Sequence, residues 1–87
     1  MRFLEHRLFG RQYKRLPHEV QEKVGERLAL LVANERNPLL NNHKLNSPYE
    51  GYRSINITGD WRLVYKKIGT DTYYMRAVGT HHQLYGA

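Results

Sequence analysis

The sequence predicts a single α+β domain in which two N-terminal helices pack on an antiparallel sheet, in the order β-α-α-β-β-β. Apolar residues recur with a helical period before Asn37, and the period changes to two after Glu50. Glycine-containing turns divide the second part into three strand-like segments. The chain has 87 residues, which suffices for one domain over residues 1–87 and one modest core.

The first half is predicted to form one short strand and a helical hairpin. Arg2 to Glu5 could form the strand. One helical face is indicated by apolar residues at spacings of four and three, namely Phe9, Tyr13 and Leu16. Pro17 ends that helix or opens the next, since proline suits a first helical turn. The second helix carries the stripe Val20, Val24, Leu28 and Leu31. It should end before Asn37-Pro38, because proline disfavours a helical conformation at the preceding residue.

A polar loop from Asn37 to about Pro48 is predicted to lead into three antiparallel strands, residues 51–57, 61–66 and 72–78. The turns between them are Thr58-Gly59-Asp60 and Gly69-Thr70-Asp71. We expect the helices to cover one sheet face and to leave the other open, with Arg62, Val64 and Lys66 on the open face. The tail after Val78 contains His81 and His82, whose side chains would point to opposite sides of an extended segment.

The charge of the chain favours a polyanionic partner. Fourteen Lys and Arg against eight Asp and Glu give a formal net charge of +6, and the sequence pI is about 9.8. From Gly51 onward only Asp60 and Asp71 are acidic, so the C-terminal half is the predicted nucleic-acid face. The chain has no cysteine, no apolar run long enough to span a bilayer and no secretory signal, so we expect a cytoplasmic protein without a membrane partner.

The residue types available suit metal-free cleavage of RNA. The sequence lacks a P-loop, a G-x-G-x-x-G and a G-x-S-x-G motif. A zinc site built from His43, His81 or His82 with Asp60 would lack the paired spacing that makes such motifs specific, so we expect neither metal nor cofactor. RNA cleavage needs a proton acceptor, a proton donor and a cation for the phosphate, which histidine and arginine supply near neutral pH. Aromatic rings can stack on unpaired bases. The candidates are His43, His81, Asp60, Arg62, Arg53, Trp61 and Tyr85.

Ordered motifs in the last half of the chain make this case specific. They are His43-Lys44-Leu45, Gly51-Tyr52-Arg53, Asp60-Trp61-Arg62-Leu63-Val64-Tyr65, Gly79-Thr80-His81 and Leu84-Tyr85-Gly86. The series resembles the pattern of YafQ-like toxins within the RelE/ParE superfamily. That pattern reads roughly H-x-L, G-[YF]-R, D-W-x-L-[IV]-Y and G-[TS]-H-x-x-L-[FY].

The resemblance implies a compact RelE fold of the microbial RNase type and a ribosome-associated endoribonuclease that cleaves mRNA in the ribosomal A site. The 2′-hydroxyl would attack the adjacent phosphate, and a cognate antitoxin protein would neutralise the toxin. By position, His43, Asp60 and His81 match the family's acid/base residues, and Arg62 matches the catalytic arginine of RelE. The expected RNA-binding residues are Arg53, Lys44, Asn56, Trp61, Tyr85 and Arg76.

Two departures from the pattern leave alternatives open. Asn56 stands where YafQ-like chains usually have histidine, and asparagine cannot exchange protons near neutral pH. Ala77 stands where arginine is common, with Arg76 one step earlier, and one step along a strand moves a side chain to the other face. One alternative is a ParE-like toxin that poisons DNA gyrase and is not a nuclease. The other is a catalytically decayed RNA- or protein-binding module of the same fold.

Overall fold

The computed structural model describes residues 1–86. In chain order its elements are β1 (Arg2–Glu5), α1 (Arg7–Lys14), α2 (His18–Ala33), a 3-10 helix (Pro38–Leu40), β2 (His43–Lys44), β3 (Arg53–Thr58), β4 (Trp61–Ile68), β5 (Thr72–Thr80) and α3 (His81–Tyr85). The predicted first strand, the helical hairpin and the three later strands are all present. None of the helices within residues 1–86 has the length and hydrophobicity that a membrane span requires.

The sheet is mixed rather than purely antiparallel. Its strand order is β1-β5-β4-β3-β2, and β1 runs parallel to β5, with Arg2 opposite Thr72 and Glu5 opposite Met75. The other neighbouring pairs are antiparallel. The prediction of an antiparallel sheet was therefore wrong for β1. The alternation of apolar residues reports which face of a strand is buried, but not which neighbour the strand pairs with or in which direction.

The segment predicted as a polar loop also contains structure. The side chain of Asn37 caps the 3-10 helix by accepting a hydrogen bond from the Leu39 backbone N–H at 3.0 Å, and Leu40 is fully buried. Lys44 and His43 then pair with Arg53 and Ser54 of β3 and so extend the sheet by one strand. A two-residue strand is too short to show an alternating sequence pattern. It is recognised only by its hydrogen-bonded pairing with β3.

The main core lies between the sheet and the helices α1 and α2. Its buried members include Phe9, Val20, Val24, Leu31, Leu40, Ile55, Ile57, Leu63, Met75 and Val78. The apolar stripe predicted on α2 therefore packs against alternate residues of β3 and β4. Arg27 of α2 adds a hydrogen bond of 2.9 Å from its Nε to the Ile57 carbonyl.

The face of the sheet opposite α1 and α2, here called the site face, is partly covered, contrary to prediction. Val64 and Ala77 are buried there beneath Leu84 of α3, and Tyr49, Tyr52 and Tyr85 are among the side chains that pack around them.

The prediction of an extended tail after Val78 was wrong, because residues 81–85 are helical. Thr80 and Gln83 form a capping box, in which each side chain accepts a hydrogen bond from the other residue's backbone N–H.

Candidate active site

His81 occupies the first position of α3, at the end of β5. Its backbone N–H donates to the Asp60 carbonyl at 2.9 Å, so the turn between β3 and β4 holds the start of the helix. Gly79 leaves room for this arrangement, because a Cβ at that position would lie 2.8 Å from Gln83 Oε1. A larger residue at position 79 would therefore displace the capping side chain of Gln83.

The imidazole of His81 packs against Tyr85. Residues four apart share one side of a helix, and the two ring centroids lie 4.8 Å apart with an edge-to-face angle of 71°. His82 is also exposed, but it follows His81 on a helix and not on a strand, so its side chain is rotated by about 100° from that of His81. The opposite orientation predicted for an extended tail was wrong, although the two histidines still face different directions.

Tyr85 is fixed by its hydroxyl, which donates a hydrogen bond of 2.8 Å to Ser54 Oγ on β3. Burial raises the pKa of the Tyr85 phenol above its ordinary value, and the Ser54 hydrogen bond and the nearby Arg62 cation oppose that rise. Tyr85 is therefore a neutral group at physiological pH. Its ring gives His81 a rigid support.

His43 lies on the other side of Ser54. It is exposed on the edge strand β2 and is directly opposite Ser54 in the register, so the two side chains share the site face. His43 Nδ1 lies 2.8 Å from the Asn41 carbonyl oxygen. A carbonyl only accepts hydrogen bonds, so Nδ1 must carry the proton. In neutral His43 this leaves the Nε2 lone pair available to accept a proton.

Arg62 and Asn56 are paired across β4 and β3 on the same face. Nη1 of Arg62 donates to the carbonyls of Gly59 at 2.8 Å and Trp61 at 3.0 Å, which holds the guanidinium against the β3–β4 turn. Asn56 Oδ1 is buried and has no hydrogen-bond partner among the described residues. An unpaired buried acceptor costs about 1–3 kcal/mol, and ligands or ordered water commonly supply the missing donor.

Asp60 projects from the turn between β3 and β4 and is exposed. Gly59 before it has a φ of 50°, the left-handed conformation that glycine adopts at no steric cost. Within residues 1–86 the Asp60 carboxylate forms no ion pair. The structure therefore ties the Asp60 backbone to His81 and leaves its carboxylate open to solvent.

Arg76 reaches the site face through a β-bulge. Val64 pairs with Ala77 while the next residue, Tyr65, pairs with Met75, so Arg76 has no partner on β4. Its guanidinium lies 5.7 Å from the ring centroid of Tyr49, which packs on the same cluster as Ala77. The expectation that one step along the strand would move Arg76 to the other face was wrong, because the extra residue of the bulge cancels the alternation.

Three of the predicted RNA-binding residues lie away from this group. Trp61 packs against the main core and, with Gln12 and Gln83 among other residues, lines a cavity of ≈ 270 Å³ on the helix side. Arg53 Nε donates to Asn42 Oδ1 at 2.7 Å. Lys44 is exposed opposite Arg53 on β2. The structure thus gathers His43, Asn56, Arg62, Arg76, His81 and Tyr85 on or beside the site face.

Sequence reasoning missed Ser54 and Tyr49, which hold Tyr85 and Arg76 in place. Nothing in the sequence around Ser54 indicates its hydrogen bond with Tyr85. Within residues 1–86 no three His, Cys, Asp or Glu side chains are grouped so that they could hold a metal ion.

The fold is that of RelE-type toxins. YafQ from E. coli strain BL21(DE3) superposes with a TM-score of 0.81 at 24% identity, over 97% of each chain. RelE, in the RelB–RelE antitoxin–toxin complex from Methanococcus jannaschii, gives 0.71 at 20% identity, over 94% of each chain. The E. coli DinJ–YafQ complex gives 0.75 at 26% identity, over 97% of each chain.

The particular family is shown by the sequence. The family described as the bacterial toxin of type II toxin–antitoxin system, YafQ, matches residues 1–86. The chain therefore belongs to the YafQ family and is a toxin of a type II toxin–antitoxin system. No curated protein matches the sequence significantly.

Proposed function

We propose that this protein is a metal-independent endoribonuclease that cleaves mRNA in the ribosomal A site, and that a cognate antitoxin neutralises it in the cytoplasm. The observation that carries the proposal is the placement of His43 and His81 on the two sides of the Tyr85–Ser54 hydrogen bond. Two exposed imidazoles and one guanidinium on the same face provide an acceptor, a donor and a phosphate ligand.

The reaction is an attack of a ribose 2′-hydroxyl on the adjacent phosphorus. The 2′-oxygen forms a bond to phosphorus while the bond from phosphorus to the 5′-oxygen breaks, leaving a cyclic phosphate and a 5′-hydroxyl. The 2′-hydroxyl proton passes to a base, and protonated His81 donates its proton to the departing 5′-oxygen. His43 Nε2 is available as the base, because Nδ1 is committed to Asn41. Asp60 is the other candidate for this role.

The charge that develops on the phosphate needs a fixed cation. Arg62 suits this role because its guanidinium is already held by the carbonyls of Gly59 and Trp61 and keeps its charge at every physiological pH. Asn56 beside it supplies polar contacts to the ribose or phosphate but no proton transfer. Arg76, held over Tyr49, adds a second cation on the same face.

Primer extension on a reporter mRNA after brief induction tests the proposal. Wild-type protein should produce discrete breaks within the reading frame, and co-expression of the neighbouring gene should abolish them. His81→Ala should remove the breaks, whereas His82→Ala, the matched change at the adjacent exposed histidine, should keep them. Growth arrest with intact mRNA and broken chromosomal DNA would instead establish the ParE-like activity. Absence of both arrest and breaks would establish a decayed module.

The antitoxin is expected to cover or distort the site face. That face carries Arg62, Lys66 and Arg76, and the sequence after Gly51 contains only two acidic residues. An acidic antitoxin segment would be attracted to such a surface. Salt should weaken both RNA and antitoxin binding, and RNA binding more steeply, because counterions are released from the phosphates.

A further inference from the structure

A lysine held between two tyrosine rings lies on the site face, away from the proposed catalytic residues His43, Arg62 and His81. Lys66 Nζ is 5.0 Å from the ring centroid of Tyr52 and 5.9 Å from that of Tyr74, its partner across β4 and β5. We call these three residues the tyrosine–lysine clamp. Lys66 is four residues from Arg62 along β4, on the same face, which places their Cα atoms about 13 Å apart.

The ammonium of Lys66 is positioned but not neutralised. The ion pairs within residues 1–86 join His18 to Glu22, Lys23 to Glu26 and Lys67 to Glu35, so none of them uses Lys66. Cation–π contacts leave the three N–H donors of an ammonium able to bind an anion. The clamp therefore presents a cation whose position is fixed by packing.

A groove of ≈ 530 Å³ opens beside the clamp, at the end of the sheet where β3 begins and β4 ends. Four cations line it, namely Lys44, Arg53, Lys66 and Lys67, against the single carboxylate of Glu50. Lys67 is paired with Glu35 and Arg53 with Asn42, so Lys44 and Lys66 are the cations best placed to bind a ligand.

A row of aromatic and cationic side chains runs from this groove to the proposed catalytic residue His81. His81 packs on Tyr85, the rings of Tyr85 and Tyr49 form an edge-to-face pair with centroids 6.0 Å apart, and Arg76 lies over Tyr49. Arg76 is two positions from Tyr74 of the clamp on β5. Alternating aromatic rings and cations are the combination that binds single-stranded nucleic acid, through base stacking and phosphate contacts.

We propose that the groove beside the tyrosine–lysine clamp is a second RNA-contact site, which binds the backbone of single-stranded RNA away from the cleaved bond. Lys66 makes the phosphate contact, and the rings of Tyr52 and Tyr74 hold its ammonium in place. This assignment rests on the proposed ribonuclease function and adds the path of the substrate across the site face. An acidic protein segment would use the cations but would not require the row of rings.

The test is the salt dependence of binding to a 2′-O-methyl oligoadenylate, which cannot be cleaved. Lys66→Met keeps the aliphatic stem and removes one phosphate contact, so the slope of log K against log salt should fall by about 0.7. Between about 50 and 200 mM salt the variant should therefore lose about 2.6-fold less affinity than the wild type. Lys14→Met, which removes the same charge from the exposed end of α1, should keep the wild-type slope.

Tyr52→Leu separates the two parts of the clamp. It retains the charge of Lys66 and removes one ring, so affinity should fall while the salt slope stays near the wild-type value. Thermal unfolding of each variant controls for folding, and Lys66→Gln replaces Lys66→Met if the latter does not fold.

Three results would overturn the proposal. They are an unchanged affinity and salt slope in Lys66→Met, an equal reduction of the slope in Lys14→Met, and no saturable binding of the oligonucleotide by the wild type at low salt. A Lys66→Met variant that loses antitoxin affinity alone would assign the groove to the protein partner instead. Since the oligonucleotide is uncleavable, His81→Ala should bind it with the wild-type dependence on Lys66. A result against RNA cleavage can therefore be distinguished from a result against RNA binding by the groove.

Discussion

The hydroxyl of Tyr85 donates a hydrogen bond of 2.8 Å to Ser54 Oγ, which ties α3 to the second residue of β3. Ser54 is fully buried and lies directly opposite His43, whereas Tyr85 supports the imidazole of His81. One hydrogen bond therefore relates the two histidines that we assign to proton transfer. Its removal should affect both stability and the geometry of cleavage.

Tyr85→Phe keeps the ring and deletes this hydrogen bond. We expect the free energy of unfolding to fall by about 0.5–1.5 kcal/mol, with a further cost because Ser54 Oγ becomes a buried group without its donor. Chemical denaturation at neutral pH measures the change. Ser54→Ala in the same background should restore part of the loss, since it removes the orphaned group. Equal stability of Tyr85→Phe and the wild type would show that the bond contributes nothing.

The same tyrosine predicts sensitivity to alkali. Burial raises the pKa of Tyr85 in the folded state, so the folded protein holds this proton more tightly than the unfolded chain. The stabilisation from Tyr85 is complete below the unfolded pKa of about 10 and is lost as the pH rises through the folded pKa. Tyr65, whose pKa is also raised mainly by burial, acts in the same direction. Stability above pH 10 should fall less steeply in Tyr85→Phe than in the wild type.

His81→Ala should reduce the single-turnover cleavage rate by about a hundredfold or more, the usual scale of general acid catalysis. The reason is the loss of the proton donor to the 5′-oxygen. His82→Ala, which removes the exposed imidazole at the next position of α3, should cleave at nearly the wild-type rate. A folded His81→Ala variant with wild-type cleavage would refute the assignment.

The base is identified by the dependence of rate on pH. In His43→Gln the acidic limb of the pH–rate profile should disappear, because the Nε2 lone pair has been replaced by a group that does not titrate. Asp60→Asn should keep that limb if Asp60 acts only through its backbone contact with His81. Loss of the limb in Asp60→Asn alone would assign the base to Asp60. Retention of the limb in both variants would exclude both residues.

Arg62→Ala should lower the saturated single-turnover rate on the order of a hundredfold, as expected for loss of a preorganised group that stabilises transition-state charge. Arg62→Lys should recover only part of that rate, because an ammonium cannot reproduce the two-pronged guanidinium contact. Lys44→Ala is the comparison, since loss of a uniform binding contact weakens affinity and leaves the saturated rate unchanged. An Arg62→Ala variant with a normal saturated rate would place Arg62 among the binding residues.

Gly79→Ala tests the packing that presents His81. The new Cβ would lie 2.8 Å from Gln83 Oε1, the atom that accepts the Thr80 N–H in the capping box. We expect a loss of stability of about 1 kcal/mol, the usual value of a helix cap, together with slower cleavage. The double variant with Gln83→Ala should relieve the steric conflict but not restore the cap. Wild-type stability of the single variant would contradict the role given to Gly79.

The sequence alone predicted β1, the helices α1 and α2 and the strands β3, β4 and β5, together with the apolar face of α2. The stripe from Val20 to Leu31 is a local pattern, and its side chains lie in or pack against the main core as predicted. The ordered motifs from His43 to Tyr85 also identified the family, and the family match over residues 1–86 confirms it. Local periodicity and motif spacing are properties of the chain and do not depend on its neighbours in space.

The tertiary structure decided the rest, because each remaining feature depends on a partner distant in the sequence. The parallel direction of β1 is set by its pairing with β5. The two-residue strand β2 is likewise defined only by its pairing with β3. The bulge that places Arg76 on the site face arises from the register between β4 and β5. No residue in either strand predicts it from the sequence. Helix α3 has five residues, too few for a periodic pattern, and is held by the Thr80–Gln83 cap and by the bond between Tyr85 and Ser54. Strand pairing and long-range hydrogen bonds thus decide where the side chains of the sequence motifs lie.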